Sequence, residues 1–327
     1  MRTLILLCFS SALLLAGGNA RAEDRPPEWA YPVSPPGFKL PPDDGKPRHV
    51  PDSSVTYGVA QTRDRFFAPD WHPADHPPMP EIVAHGRKPE VFACGFCHRA
   101  DGPGGPENAS LAGLSVSYIK QQMADFKNGL RKTAVPERLP PQLMIAVAKA
   151  ASDEEVLASA EYFAALKPRS TIKLVETDTV PRTYVAGLFL ADAGTGESEP
   201  IAGRIIEIPV DLNQFENRDA RSRFVAYVPI GSVKKGEALA AKGVGGNGTQ
   251  CAVCHGPGLA GLGDVPGIAG RSPSYVVRQL YDFKHGARTG SGSELMKPVV
   301  EHLTSEEMLA LAAYSASLPP DRPSDNK

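Results

Sequence analysis

Two short segments of the sequence each carry two cysteines three positions apart, followed directly by a histidine. They span Cys94–His98 and Cys251–His255. Two thiols at this spacing can each join one vinyl group of a single porphyrin, and the adjacent histidine then supplies an axial nitrogen to the iron. This pattern predicts covalent c-type haem attachment. The candidate haem-binding residues are Cys94, Cys97, His98, Cys251, Cys254 and His255.

Three other chemistries use the same residue types. A thioredoxin-like dithiol requires a strand-turn-helix setting, whereas glycine-rich loops follow each motif here. A zinc site and a pair of disulfides remain open as alternatives. Haem is favoured because both copies carry the adjacent histidine, and no later cysteine is left over.

The fifth cysteine, Cys8, lies in an apolar N-terminal stretch that follows Arg2 and precedes the small residues around Ala22. This arrangement predicts a signal peptide over residues 1–22, cleaved near Ala22, which would remove Cys8. No later segment has about 18 consecutive apolar residues. The sequence therefore predicts export to the periplasm.

The chain is internally duplicated. Residues 118–131 match residues 275–288 at an offset of 157, the same offset that relates His98 to His255. Farther on the offset falls to 152, so the first copy carries five extra residues in a loop. At this second offset, hydroxyl residues followed three positions later by glutamate predict capping boxes that begin one helix in each copy. They are Ser152 with Glu155, and Thr304 with Glu307.

Two methionines occupy equivalent positions downstream of the two motifs. Met144 matches Met296 at the offset of 152, whereas Met123 aligns with Leu280 and Met308 with Val156. Methionine paired with histidine on haem iron is typical of electron-carrying cytochromes. We therefore predict Met144 and Met296 as metal ligands with His98 and His255, the alternative being that either one only fills a core.

These residues give the chain its resemblance to two-haem class I cytochromes c of the cytochrome c-four type. The resemblance rests on both motifs, the repeated segments, the two methionines, and the turns 111–113 and 268–270, and it covers residues 80–168 and 229–320. It implies small helical domains that each hold one covalent haem c, and transfer of single electrons in a respiratory chain.

The resemblance also implies roles for residues around each haem. A proline carbonyl commonly accepts a hydrogen bond from the haem histidine in this family, and Pro266 fits that position. The first repeat has Ala109 there, whose carbonyl can serve equally. In this family, residues of these types can also form hydrogen bonds with haem propionates, and the candidates here are Tyr118, Arg131, Tyr275 and Arg288. A position on a solvated helix face or a contact in the core is an equal alternative for each of them.

The predicted fold is mainly α, with two cytochrome c-like helical domains, a proline-rich N-terminal extension and a small β-rich insert between the domains. Predicted boundaries are a signal peptide at 1–22, the extension at 23–79, haem domain 1 at 80–168, the insert at 169–228 and haem domain 2 at 229–327. Strands are predicted at 171–177, 183–190, 203–210 and 223–228. Aromatic residues, including Tyr31 and Trp71, are expected to pin the extension onto the domains.

The extension also carries His72 and His76 close to Asp70 and Asp75. Their spacing matches no metal motif, so surface or packing histidines are favoured. The net charge of −2 gives no indication of nucleic-acid binding.

A periplasmic electron carrier without substrate chemistry is therefore the favoured function, with redox proteins as partners. The alternatives are a two-haem peroxidase and the cytochrome subunit of a dehydrogenase or oxidase complex, which includes attachment to a membrane-bound respiratory complex.

Overall fold

The computed structural model describes residues 25–244 and 248–320. The predicted signal peptide and its cleavage near Ala22 lie outside the described residues. Within the described ranges, no helix is both long enough and apolar enough to cross a bilayer.

The region of the first motif is mainly helical, and the motif itself forms one of its short helices. The helices are α1 (Val59–Arg63), α2 (Glu81–Ala84), α3 (Cys94–His98), α4 (Val116–Lys127), α5 (Leu139–Ala150) and α6 (Asp153–Ala165). Buried side chains from α2, α4, α5 and α6 form one core, with Phe163 at its centre.

Seven short strands and one helix follow. They are β1 (Ile172–Glu176), β2 (Thr179–Pro181), β3 (Thr183–Ala186), β4 (Phe189–Asp192), β5 (Ser198–Pro200), β6 (Ile206–Pro209), α7 (Leu212–Glu216) and β7 (Phe224–Val228). A three-stranded sheet has the order β1-β7-β6, with β1 parallel and β6 antiparallel to β7. Ile206 and Ile208 of β6 are buried between β7 and the other strands.

The predicted continuous strand at 183–190 is wrong. The segment forms the β3-β4 hairpin, in which Val185 pairs with Leu190. Gly187 has a φ of +72° at the turn, a conformation that glycine adopts without strain. The run of β-branched and aromatic residues concealed this turn, and β2 and β5 were not predicted.

The region of the second motif begins with a longer helix than the region of the first and ends with one of equal length. They are α8 (Ser232–Lys242), α9 (Cys251–His255), α10 (Pro273–Lys284), α11 (Ser293–Val300) and α12 (Ser305–Ser317). The predicted capping boxes of α6 and α12 are confirmed, since the hydroxyls of Ser152 and Thr304 each accept a hydrogen bond of 3.2 Å from the backbone N–H three residues later. Met308 of α12 is buried in the core, as expected for a packing residue.

The extension contacts distant parts of the chain through its aromatic residues. The hydroxyl of Tyr31 donates to Asp282 of α10 at 2.9 Å, and Trp71 Nε1 donates to the carbonyl of Asn217 after α7 at 2.8 Å. Asp282 also accepts from the backbone N–H of Ala134 at 2.9 Å. One buried carboxylate therefore joins the extension, the first repeat and the second repeat.

The two repeats meet through equivalent loops. The backbone N–H of Lys132 donates to the carbonyl of Ala287 at 2.7 Å, and that of Thr289 donates to the carbonyl of Leu130 at 2.7 Å. These bonds flank a pair of equivalent arginines, Arg131 and Arg288, which lie opposite each other. The interface therefore has approximate two-fold symmetry.

The closest approach between two helices of the second repeat is at Gly236. A Cβ atom there would lie 2.0 Å from the carbonyl oxygen of Ala310, so α8 and α12 would have to separate. We predict that Gly236→Ala lowers the free energy of unfolding by about 1–3 kcal/mol, the usual range for overpacking. Denaturant unfolding followed by far-ultraviolet circular dichroism measures the change.

The matched control is Gly292→Ala. Gly292 has a φ of −69°, and its Cβ would have no heavy atom within 4 Å. This variant should unfold at the wild-type denaturant concentration or slightly above it. Equal destabilisation by the two substitutions would show that helix crossing at Gly236 is not the cause.

Candidate functional site

Each motif forms a short helix whose histidine side chain is buried and held by a backbone carbonyl. His98 Nδ1 lies 2.8 Å from the carbonyl oxygen of Ala109, and His255 Nδ1 lies 2.8 Å from that of Pro266. Because a carbonyl only accepts, Nδ1 carries the proton and Nε2 is left with its lone pair. Burial lowers the pKa of His98 to about 4 and also lowers the pKa of His255. Both imidazoles are therefore neutral, and the Nε2 lone pair of each is not used by the bond to the carbonyl.

The cysteines do not have the properties of a redox dithiol. The four described cysteines are free, and burial raises the pKa of Cys94 to about 12. Burial also raises the pKa values of Cys97 and Cys251. A dithiol of the thioredoxin kind depends on a lowered thiol pKa. In the described part of the chain, no group of three or more His, Cys, Asp or Glu side chains is arranged to hold a metal ion.

A cavity of about 1330 Å³ extends between the two repeats. Both motif histidines and all four motif cysteines line it. Met144 from α5 and Met296 from α11 also line it, and both are partly buried. The structure thus brings every sequence-predicted ligand to the wall of one continuous space.

No protein-family model matches the chain. A curated protein of Thiomonas intermedia, the thiosulfate dehydrogenase electron acceptor, is 28% identical over 71% of this chain and 81% of its own length. Cytochrome c4 of Pseudomonas aeruginosa is 26% identical over 70% of this chain and 85% of its own length. Cytochrome c-554(548) of Halomonas halodenitrificans is 34% identical over 20% of this chain and 82% of its own length.

The chain is a two-haem cytochrome c of the cytochrome c4 type. It carries two covalent haem c groups and transfers electrons. The repeated motifs, the mainly helical repeats and the cavity between them agree with this family.

The charged lining of the cavity fits the propionates of two haems. Arg138 lines the cavity and is only 2% exposed, yet its Nε and Nη2 have no hydrogen-bond partner among the described residues. Burial, together with the nearby Arg278, holds the pKa of Arg138 well below its usual range. A buried guanidinium without an anion is costly, and a propionate carboxylate would compensate it. No sequence pattern indicated Arg138, although this residue lies in the loop that holds the five extra residues.

The four residues expected near the propionates form a hydrogen-bond network across the interface. Arg131 donates to the hydroxyl of Tyr275 at 2.9 Å. Arg288 donates to Gln122 at 2.7 Å and also bonds the hydroxyl of Tyr118. Both arginines and both tyrosines line the cavity, so a solvated helix face is excluded for them.

The histidines of the extension belong to separate pairs. His76 Nε2 lies 3.2 Å from Asp70 Oδ1, whereas His72 Nε2 lies 3.1 Å from Asp219 Oδ1. Asp75 instead accepts from Arg221 at 2.7 Å. Of the four side chains considered as a metal cluster, His76 and Asp70 therefore pair with each other, whereas His72 and Asp75 contact other residues, in agreement with the packing interpretation.

The His76–Asp70 pair predicts a pH dependence of stability. The hydrogen bond to Asp70 raises the pKa of His76 above its usual value of about 6.5. A raised pKa means that the stabilisation is fully present below pH ~6.5 and is lost as the pH rises through the folded-state pKa. We expect His76→Gln to lower the free energy of unfolding more at about pH 6 than at about pH 9.

Urea unfolding at the two pH values measures this difference. The control is His49→Gln, because His49 is exposed in the extension, and this change should have the same small effect at both pH values. A larger effect of His76→Gln at the higher pH would contradict the sign of the pKa change.

Proposed function

We propose that this protein is a periplasmic one-electron carrier in which His98 and Met144 ligate the first haem iron, and His255 and Met296 ligate the second. The observation that carries the proposal is the matched geometry of the two histidines, each oriented by a carbonyl at 2.8 Å and facing the same cavity. Cys94 with Cys97, and Cys251 with Cys254, would form the thioether links.

The haem groups supply iron that cycles between the ferrous and ferric states. The protein contributes by tuning this couple. A methionine thioether is a soft neutral ligand that favours the ferrous state and raises the potential. The carbonyls of Ala109 and Pro266 fix the ring orientation and increase the basicity of each histidine. If His98 with Met144 and His255 with Met296 hold the two irons, neither site would offer an open position for substrate.

The proposed organisation retains the boundaries expected from the sequence. Residues 80–168 and 229–327 are the haem domains, residues 23–79 the extension and residues 169–228 the β-rich insert. The apolar segment before Ala22 supports secretion to the periplasm, where c-type cytochromes of this family act.

The partners we propose are redox proteins, with a dehydrogenase as the electron donor. The relatives named as thiosulfate dehydrogenase electron acceptors support this choice. The cytochrome subunit of a sulfide dehydrogenase from Chlorobaculum tepidum is 38% identical over 21% of this chain. This likeness supports the second candidate, a subunit of such a complex, which copurification would distinguish from a free carrier.

A two-haem peroxidase requires an iron that peroxide can reach. Matched methionines in duplicated settings favour two carrier haems, although the longer loop with Arg138 makes the first site differ from the second. Cyanide and hydrogen peroxide added to the native oxidised protein should leave both haem spectra unchanged. Rapid binding at either haem would favour the peroxidase.

Replacing Cys94 and Cys97 together by alanine should remove one haem and leave the second attached, because each motif binds its own porphyrin. The pyridine haemochrome assay and the mass of the purified chain measure the haem content. The matched variant, with Cys251 and Cys254 replaced, should lose the other haem. Loss of both haems, or of neither, would contradict independent attachment.

Met296→Ala should lower the potential of one haem and open its sixth position to cyanide, because the soft ligand is lost. The near-infrared charge-transfer band of oxidised Met-ligated haem should fall to half its wild-type intensity. Met144→Ala should do the same at the other haem. The control is Met123→Leu, which takes the residue of the second repeat at that position and should keep the full band. An unchanged band in Met296→Ala would exclude Met296 as the ligand.

A further inference from the structure

The two attachment segments differ in exposure although they occupy equivalent positions. Val253, between the cysteines of the second motif, is 65% exposed, whereas its match Phe96 in the first motif is 5% exposed. The second cysteine follows the same pattern, since Cys254 is exposed and Cys97 is partly buried. The edge at which each haem is attached is therefore open in the second domain and closed in the first.

The cover over the first edge comes from α7 and the residues after it. The guanidinium of Arg218 stacks over the ring of Phe96 at 3.5 Å and donates to the Phe96 carbonyl at 3.1 Å. Arg218 also donates to the carbonyl of Thr62 in the extension at 3.1 Å. The extension and the insert thus close this edge jointly.

A second part of the same cover is Phe215 of α7. A Cβ atom on Gly105 would lie 3.2 Å from the Phe215 ring, so the ring rests directly on this loop. The residue of the second repeat that matches Gly105 is Leu262, which is 55% exposed. Leu262 lies beside the second motif, because its Cβ is 3.5 Å from the Cβ position of Gly256.

The methionine side of the second haem site is also open. Leu295, which precedes Met296 and lines the cavity, is 72% exposed, whereas its match Leu143 is partly buried. Val253, Leu262 and Leu295 are therefore three uncharged, exposed side chains around the second site. In the described ranges, no segment of the chain covers them as α7 covers the first site.

We propose that redox partners exchange electrons with this protein only at the second domain, through the attachment edge that carries Val253 and Leu262, with Leu295 exposed on the methionine side. The occupant of this edge is a redox protein that presents an apolar, aromatic-bearing surface around its own redox centre. The first domain shows what fits such an edge, since Phe215 and Arg218 cover the equivalent residues there. This inference rests on the proposed function.

The electron balance follows from a single entry site. A reduced donor loses one electron, and the second haem iron passes from ferric to ferrous. Transfer across the interface reoxidises the second haem and reduces the first, which leaves the second free to accept another electron. When the protein passes its electrons to an acceptor, the same steps run in reverse at the same edge. The first haem then stores an electron that partners cannot reach directly.

The test is stopped-flow oxidation of the fully reduced holoprotein by two small probes of opposite charge, ferricyanide and tris(phenanthroline)cobalt(III). Val253→Glu should slow oxidation by the ferricyanide anion and accelerate oxidation by the cationic cobalt complex, each by roughly threefold to tenfold at low ionic strength. Val253→Lys should have the opposite effect on each rate. The rate of the whole absorbance change, which comes from both haems, should depend on the charge at position 253. Both midpoint potentials should stay at their wild-type values.

The control is Val210→Glu, because Val210 of the insert is 65% exposed, like Val253, and is not among the residues that line the cavity. It should leave both rates unchanged. Arg218→Ala removes the cover over the first motif and should therefore add a kinetic phase in which the first haem is oxidised directly. The rate of this phase should depend on oxidant concentration but not on the charge at position 253.

Several results would overturn the proposal. One is a kinetic phase of the wild-type protein that carries half the amplitude, depends on oxidant concentration and keeps its rate when residue 253 is changed. A second is a rate change of the same sign for both probes, which would indicate a structural effect. A third is a wild-type dimer in sedimentation that Val253→Glu dissociates, since the edge would then be a self-interface. Loss of haem from the wild-type protein would instead contradict the proposed function itself.

Discussion

The hydrogen bond from each motif histidine to a backbone carbonyl is the constraint on which the site depends. It fixes Nδ1 as the protonated nitrogen and directs Nε2 toward the cavity. The acceptor is Pro266 in one repeat and Ala109 in the other, so the bond requires a loop path and not a particular side chain. The loop after each motif must therefore return to the same place, which explains why glycine-rich segments follow both motifs.

The interface between the repeats concentrates buried positive charge. Arg131, Arg288 and Arg138 all line the cavity, and the first two are linked across the interface by glutamine and tyrosine side chains. Buried guanidinium groups are stable only when anions or several acceptors surround them. Four haem propionates would supply this negative charge where the two repeats meet. The same contacts that join the repeats therefore also set the electrostatic surroundings of both haems.

Duplication has produced equivalent sites with unequal surroundings. The extension is anchored to the second repeat by Tyr31 and to the insert by Trp71. The insert in turn places Arg218 over the attachment edge of the first repeat alone. Two added segments thus change the access to one haem without altering the residues predicted to ligate its iron. Differences in function between the two haems are then a matter of exposure and nearby charge.

The cofactor, the candidate ligands and the repeated helical units could be predicted without the structure, because attachment motifs, capping boxes and fixed offsets are local patterns. The capping boxes at Ser152 and Thr304 were predictable for this reason, and the acceptor role of Pro266 was implied by the family resemblance. The hairpin at Gly187, the unpaired guanidinium of Arg138 and the cover over Phe96 were not predictable. Each depends on contacts between residues far apart in the chain, such as Arg218 with Phe96 and Thr62. Which of two equivalent surfaces is buried depends on the segments packed against it, so it could not be inferred from the repeat.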